Sequence, residues 1–412
     1  MENQNASRPK SGSNRRRAPK RRRKHRNPNY IPQYEGPTVE GGGILEIGSE
    51  GFGFLRQAKN NFLPGEDDIY VPPGLINQFK LREGSEVIGQ VGQPRRPGQK
   101  PLMVSVETVD GLPPEERMEK PHFKELTSID PEPMFVLEPG DGDISLRIMD
   151  LLTPIGKGQR GLLVAPPRTG KTVLLQKVAS AIEKNYPEVE LMVLLIDERP
   201  EEATGWRRSL GDRGLVLCST LDEMARNHVA LSEIVLKRAH RLVECGKDVV
   251  IVLDSITRLA RAYNAEIKNS GRILTGGIDS RTMEKPKKFF GSARNVEEGG
   301  SLTILATALI ETGSKMDQVI FEEFKGTGNM ELVFSRTLAD RRIFPAMDIE
   351  LSGTRKEEKL LPQEALNRIY TLRRVLAKLR PHEAMPLLIE RLKKTKSNAE
   401  FLAAFKATEE DI

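Results

Sequence analysis

The chain has 412 residues, 64 Lys+Arg against 58 Asp+Glu, and a formal net charge of +6. Its 38% hydrophobic and 30% charged content excludes a wholly disordered chain, and its length allows two or three domains with a sizeable core. No apolar run is long enough to span a bilayer, the basic N-terminus lacks the apolar stretch of a secretory signal, and Cys218 and Cys245 make neither a disulfide framework nor a metal set, which fits a reducing cytoplasm.

The charge is unevenly placed. Residues 1–30 hold eleven Lys/Arg and one acid, Glu2, leaving 53 basic and 57 acidic residues on a body of net −4. Residues 1–39 therefore read as a basic disordered tail that attracts polyanions without a fold, or as a solubilising tail only. Residues 40–110 carry short β-type runs between turn signals, at 43–47, 51–55, 68–71, 86–91 and 101–106. Five short strands in so little chain predict a small closed barrel. Phe52 and Phe54 lie two apart, so both rings face one side. With Tyr70 on a nearby strand and Arg56 beside them, they read as a stacking platform for single-stranded bases. The competing reading is that the rings fill the barrel core. Residues 111–145, rich in Pro, Asp and Glu, read as a connector.

From residue 146 to 412 the pattern alternates continuous apolar strands, at 161–165, 191–196, 249–253 and 302–306, with amphipathic helices. That predicts an α/β domain, a parallel sheet covered on both faces. Ala165-Pro166-Pro167-Arg168-Thr169-Gly170-Lys171-Thr172 follows one strand and opens a helix, which is the P-loop pattern with Ala165 in the first glycine's place. The stretch Pro167–Val173, through the backbone amides of Arg168–Val173 and the helix N-terminus, suits a polyphosphate. Lys171 would reach the β- and γ-phosphates of ATP, and the Thr172 hydroxyl would hold Mg²⁺. Asp254 ends the buried strand 249–253 and is the candidate second metal carboxylate; it could also cap the next helix. Glu198, at the end of strand 191–196, is the candidate water-orienting carboxylate, with Arg199 beside it.

Several longer runs carry a resemblance. They are Leu195–Glu202, Asp254–Asn264, Phe289–Ser301, Thr312–Asp317 and Ser352–Glu358. Together they are similar to the Rho family of transcription termination factors, over roughly residues 40–400. The resemblance implies a RecA-like P-loop ATPase domain behind an OB/cold-shock-like barrel. It implies a homohexameric ring that translocates along single-stranded RNA, 5′ to 3′, and dissociates the RNA polymerase elongation complex, with no membrane involved. It makes Glu198 the catalytic glutamate, Arg355 an arginine finger acting on a neighbour, Arg342 a second phosphate-sensing arginine and Phe344 the adenine-packing ring. It adds Asp68 as a polar RNA contact, and two channel loops contributing Arg272, Leu274, Thr275 and Gly276, and Lys315. Pro101 stands where the family usually has an aromatic, and the helical subdomain before the barrel is replaced by the basic tail. Residues 203–217, with Trp206, diverge. A recombinase-like or rotary ATPase, or a non-catalytic RNA-binding module, remain the rival readings.

Overall fold

The computed structural model describes residues 29–405 apart from 95, 97, 139, 141, 212, 267–272, 275–277 and 280, with the backbone alone at 273, 274, 278 and 279. Residues 1–28 and the expected RNA contacts Arg272, Thr275 and Gly276 lie outside the described residues.

Strands β1 (Thr38–Ile47), β2 (Gly53–Arg56), β3 (Ile69–Val71), β4 (Glu86–Gly92) and β5 (Leu102–Val109) close a barrel in the order β1-β2-β3-β5-β4, with β4 returning to β1. Alternate residues point inward, and Leu45, Leu55, Val71, Val87 and Met103 have no exposed surface. Helix α1 (Pro73–Gln78) closes one end with Leu75 and Ile76. The residues before β1 run along this barrel. The Gly74 amide donates to the Tyr30 carbonyl at 3.3 Å, and a Cβ at Gly92 would lie 2.6 Å from the Tyr34 ring.

The chain then forms α2 (Pro114–Glu119), β6 (Ser128–Ile129), β7 (Met134–Phe135), α3 (Ile144–Leu152), β8 (Ile155–Gly156), β9 (Arg160–Ala165), α4 (Lys171–Asn185), β10 (Glu190–Glu198), α5 (Pro200–Ser209) and β11 (Leu215–Thr220). It continues through α6 (Ala225–Glu244), β12 (Asp248–Asp254), α7 (Ile256–Glu266), the pair β13 (Ile273–Leu274) and β14 (Ile278–Asp279), α8 (Glu284–Gly291), β15 (Arg294–Val296) and β16 (Ser301–Leu309). It ends with α9 (Lys315–Lys325), β17 (Met330–Val333), α10 (Arg336–Asp340), β18 (Gly353–Thr354), α11 (Gln363–Ala377), α12 (Pro381–Lys393) and α13 (Asn398–Ala404). The main sheet runs β11-β10-β12-β16-β9-β17-β18, parallel until β18. Successive residues feed opposite cores. Leu163, Val193 and Leu195 face α4 and the C-terminal helices, while Leu162, Leu194 and Ile196 face α6 and α7. Trp206, fully buried on α5, belongs to the first of these cores, so the divergent stretch packs against the sheet.

The stretch read as a connector is built into both bodies. Its β6 pairs with β15 at the edge of the main sheet. Asp110 and Glu244, both with wholly buried side chains, gather Arg82, Arg117, Arg238 and Arg241. The Arg238–Asp110 contact is 2.6 Å and Arg117–Glu244 is 2.7 Å. A Cβ on Gly84, a barrel-loop residue with φ +83°, would lie 2.4 Å from the Lys237 backbone on α6. Ile44 and Phe62 of the barrel join the α6–α7 core. Barrel, connector and main sheet thus share buried charge and buried apolar surface.

Candidate functional site

The turn between β9 and α4 takes its shape from two left-handed residues, Arg168 (φ +66°) and Gly170 (φ +88°). Buried Thr169 donates its hydroxyl to the Pro166 carbonyl at 2.9 Å, which pins the loop. Amides then face outward at the start of a 15-residue helix, an arrangement suited to phosphate. Gly170 suits its φ of +88°, where a side chain would be strained, and the Phe344 ring packs against it, 3.5 Å from where a Cβ would be. Phe344 and Val173 are 48% and 58% exposed, so an apolar shelf for a base flanks the phosphate cradle. Arg342, two residues before Phe344, is exposed on the same segment with φ +60°.

The carboxylates converge behind the loop. Asp254, buried at the end of β12, accepts Lys171 Nζ at 2.5 and 2.7 Å and the Thr307 hydroxyl at 2.7 Å. Glu198, Glu202 and Asp254 bring carboxylate oxygens within 4.8 Å of one another, and half-buried Thr172 opens α4 beside Lys171. Burial pushes the Glu198 carboxyl up to about 7, helped by the neighbouring Asp254 charge and opposed by Lys171 and Arg258. A hard-oxygen set next to a phosphate cradle fits Mg²⁺. The helix-capping role considered for Asp254 falls to Ser255, whose hydroxyl accepts the Arg258 amide at 3.3 Å.

Arg355 lies elsewhere. Its amide donates to the Asn329 carbonyl, and the Asn329 amide donates to the Arg160 carbonyl at the first residue of β9. The P-loop follows the last residue of β9. Five strand steps at about 3.3 Å put roughly 17 Å of sheet between them. Arg355 is exposed at the far edge, at the opposite end of β9 from its own phosphate cradle.

On the barrel, Phe52, Phe54 and Tyr70 form a triangle with ring centroids 5.6, 5.6 and 5.9 Å apart. All three are half-buried and none belongs to the barrel core, so the core-filling reading fails. Arg56 lies 5.2 Å over the Phe54 ring and is fixed by Glu46 at 2.6 Å and by Asp68. Asp68, expected as an RNA contact, is 1% exposed and accepts from Arg56 and from the Gly65 amide. It orients Arg56 from beneath. Pro101 contributes its carbonyl to the Tyr70 amide at 2.8 Å. Lys315 is exposed at the first turn of α9, while Leu274 sits in the short β13–β14 pair.

Residues 41–115 match the model of the Rho termination factor RNA-binding domain, and residues 145–354 that of the ATP synthase alpha/beta family nucleotide-binding domain. The transcription termination factor Rho of Cereibacter sphaeroides is 54% identical over 370 residues, covering 89% of this chain and 87% of its own. The chain belongs to the Rho family. Its relative from Aquifex aeolicus is 54% identical over 89% of this chain and 84% of its own, and that from Pseudomonas aeruginosa 52% over 90% and 89%. Among solved structures, a prototypical ATPase from the type III secretion system of pathogenic bacteria matches with a TM-score of 0.58 at 22% identity, over 69% of this chain and 87% of that one. That likeness shows the fold. The Rho-family barrel in front of an ATPase sheet sets aside the recombinase and binding-module rivals.

Sequence reasoning missed three site residues. Arg258, one turn into α7, contacts Glu198 at 3.4 Å and donates to the Asp197 carbonyl. Its spacing four residues after Asp254 was the available signal. Glu202 was visible in the same acidic run as Glu198. Thr307, mid-strand on β16, left no signal.

Proposed function

We propose that the chain is the subunit of an RNA-dependent, ATP-driven ring that tracks 5′ to 3′ along single-stranded RNA and releases transcription complexes. The observation that carries the ring is the place of Arg355. A guanidinium at the opposite sheet edge from its own P-loop suits a neighbour's nucleotide, so six subunits in a closed cycle would complete six sites. The aromatic triangle stacks bases, and Lys315 offers a point charge to phosphate on the motor.

In the cycle, Lys171 exchanges Asp254 for the β- and γ-phosphates. Thr172 and Asp254, with Glu198 and Glu202 close by, are the residues that would hold Mg²⁺, which when bound neutralises developing phosphate charge. Glu198 accepts a proton from the attacking water, and the amides of Arg168–Val173 fix the phosphate chain. Arg342 and Arg199, both exposed beside this cleft, supply further cations, and Phe344 packs on adenine. Among the described residues no helix is long and apolar enough to cross a membrane; a cytoplasmic setting follows from the RNA substrate.

The test is steady-state hydrolysis as a function of protein concentration, with single-stranded RNA or double-stranded DNA. Turnover per subunit should rise steeply as subunits associate, respond to RNA only, and fall about 10³–10⁵-fold in Arg355→Ala with ATP binding retained. Turnover independent of concentration defeats the ring; equal stimulation by both nucleic acids defeats the RNA motor.

A further inference from the structure

The far edge of the sheet holds more than Arg355. A cavity of about 470 Å³ opens there, walled by the cations Arg160, Arg294 and Lys359, the acids Asp130 and Glu132, and Asn329. Arg160 donates Nε–H to the Thr327 carbonyl at 3.1 Å and Nη1–H to the Ala293 carbonyl at 3.0 Å. Arg294 donates Nε–H to the Ser292 carbonyl at 3.2 Å, and its guanidinium lies 4.7 Å over the Phe123 ring. Both forks are therefore held in place by neutral groups and keep further N–H donors. Among the described residues neither arginine, nor Arg355, makes an ion pair. Of the two carboxylates in the wall, Asp130 is taken by Lys356 and Lys359, both at 2.8 Å, and Glu132 makes no ion pair among the described residues. Burial opposes the charge on Arg160, and the like charges of Arg294 and Arg355 oppose it further.

Three guanidiniums gathered without an ion-pair partner, beside two lysines and two acids, leave electrostatic repulsion that a bound anion relieves. Fixed planar forks match tetrahedral oxyanions better than flexible ammonium groups do. The cavity is also large enough for a small ligand. We propose that this cavity is a second phosphate-binding site, separate from the P-loop, in which Arg160 and Arg294 hold inorganic phosphate or the terminal phosphate of a nucleotide beside Arg355. Delivery of that phosphate by a neighbour's nucleotide rests on the ring reading above; phosphate binding by the cavity does not.

The experiment titrates inorganic phosphate into the full chain by calorimetry, with the P-loop filled by a non-hydrolysable ATP analogue. Saturable phosphate binding is expected. It should weaken at least tenfold in Arg294→Gln and in Arg160→Gln, less in Arg160→Lys, and strengthen in Asp130→Asn. Because Arg160 also braces two loops, unchanged affinity of each variant for the ATP analogue serves as the folding control, and Arg294→Gln carries the test if Arg160→Gln fails it. Binding by dissociated subunits that persists when they assemble assigns the site to free phosphate. Binding by dissociated subunits that is lost when the filled subunits assemble assigns it to the terminal phosphate of the neighbour's nucleotide. No phosphate binding by dissociated subunits with the P-loop filled overturns the site, as does equal affinity in Arg294→Gln, or displacement of phosphate by single-stranded RNA lacking a terminal phosphate. A chain that binds phosphate while its turnover ignores protein concentration keeps the site and loses only the ring.

Discussion

If Glu198 is the base, hydrolysis must follow its ionisation. Burial and Asp254 raise its carboxyl from the usual 4.5 to about 7, so in the nucleotide-free subunit roughly a tenth is ionised at pH 6 and nine tenths at pH 8. The profile of kcat/KM reports the free enzyme, so RNA-stimulated kcat/KM should climb about tenfold between those values and bend near 7. Glu202→Gln, by removing a contributing like charge, should move the bend to lower pH. Glu198→Gln should cost about 10²–10⁴ in kcat and abolish that bend, leaving any titration of ATP itself as the baseline. The same shift has a stability consequence of fixed sign. Because the folded pKa lies above the unfolded one, ionised Glu198 opposes folding, with a penalty that grows from about pH 4.5 to about 7 and is constant above. Glu198→Gln should therefore raise the melting temperature more at pH 8 than at pH 5. A wild-type kcat/KM flat from pH 6 to 8, or a bend that survives in Glu198→Gln, refutes the assignment.

Phe54→Ala should weaken single-stranded RNA binding by about 1–3 kcal/mol, read by fluorescence anisotropy, with ATP affinity unchanged. Glu244→Ala leaves Arg82, Arg117 and Arg241 short of a buried partner and should cost about 3–5 kcal/mol in urea unfolding. Lys315→Ala should lower RNA-stimulated turnover while ATP binding holds; unchanged stimulation at saturating RNA would count against a channel role. Removing residues 1–28 should flatten the dependence of RNA affinity on salt, since those residues carry eleven cations. An unchanged slope would leave the tail without a role in RNA contact.

What could be read in advance was local or periodic. The P-loop is one contiguous string. The run Leu191–Ile196 could be assigned to a covered sheet because every residue in it is apolar, as both cores require. The aromatic platform needed only a two-residue spacing and a partner strand. Long-range polar pairing was not legible. Arg117 and Glu244 are 127 residues apart, and on α6 a glutamate among arginines reads as a solvated face. Asp68 was expected through the resemblance as a polar RNA contact, and nothing in sequence shows that Arg56 folds over it. Arg160 gave no sign that its partners would be carbonyl oxygens instead of acids.

Helix α6 begins where His228 meets Ser219 at 2.7 Å, on the strand beside Glu198, and ends at Glu244 under the barrel. Its 20 residues span about 30 Å. The strand beside Glu198 and the barrel loop at Arg82 are therefore tied to the two ends of one helix. In the ring proposed above, a chain so braced would have little internal play to convert hydrolysis into travel; displacement would occur at the joints between subunits, and each chain would act as a single link that is carried rather than bent.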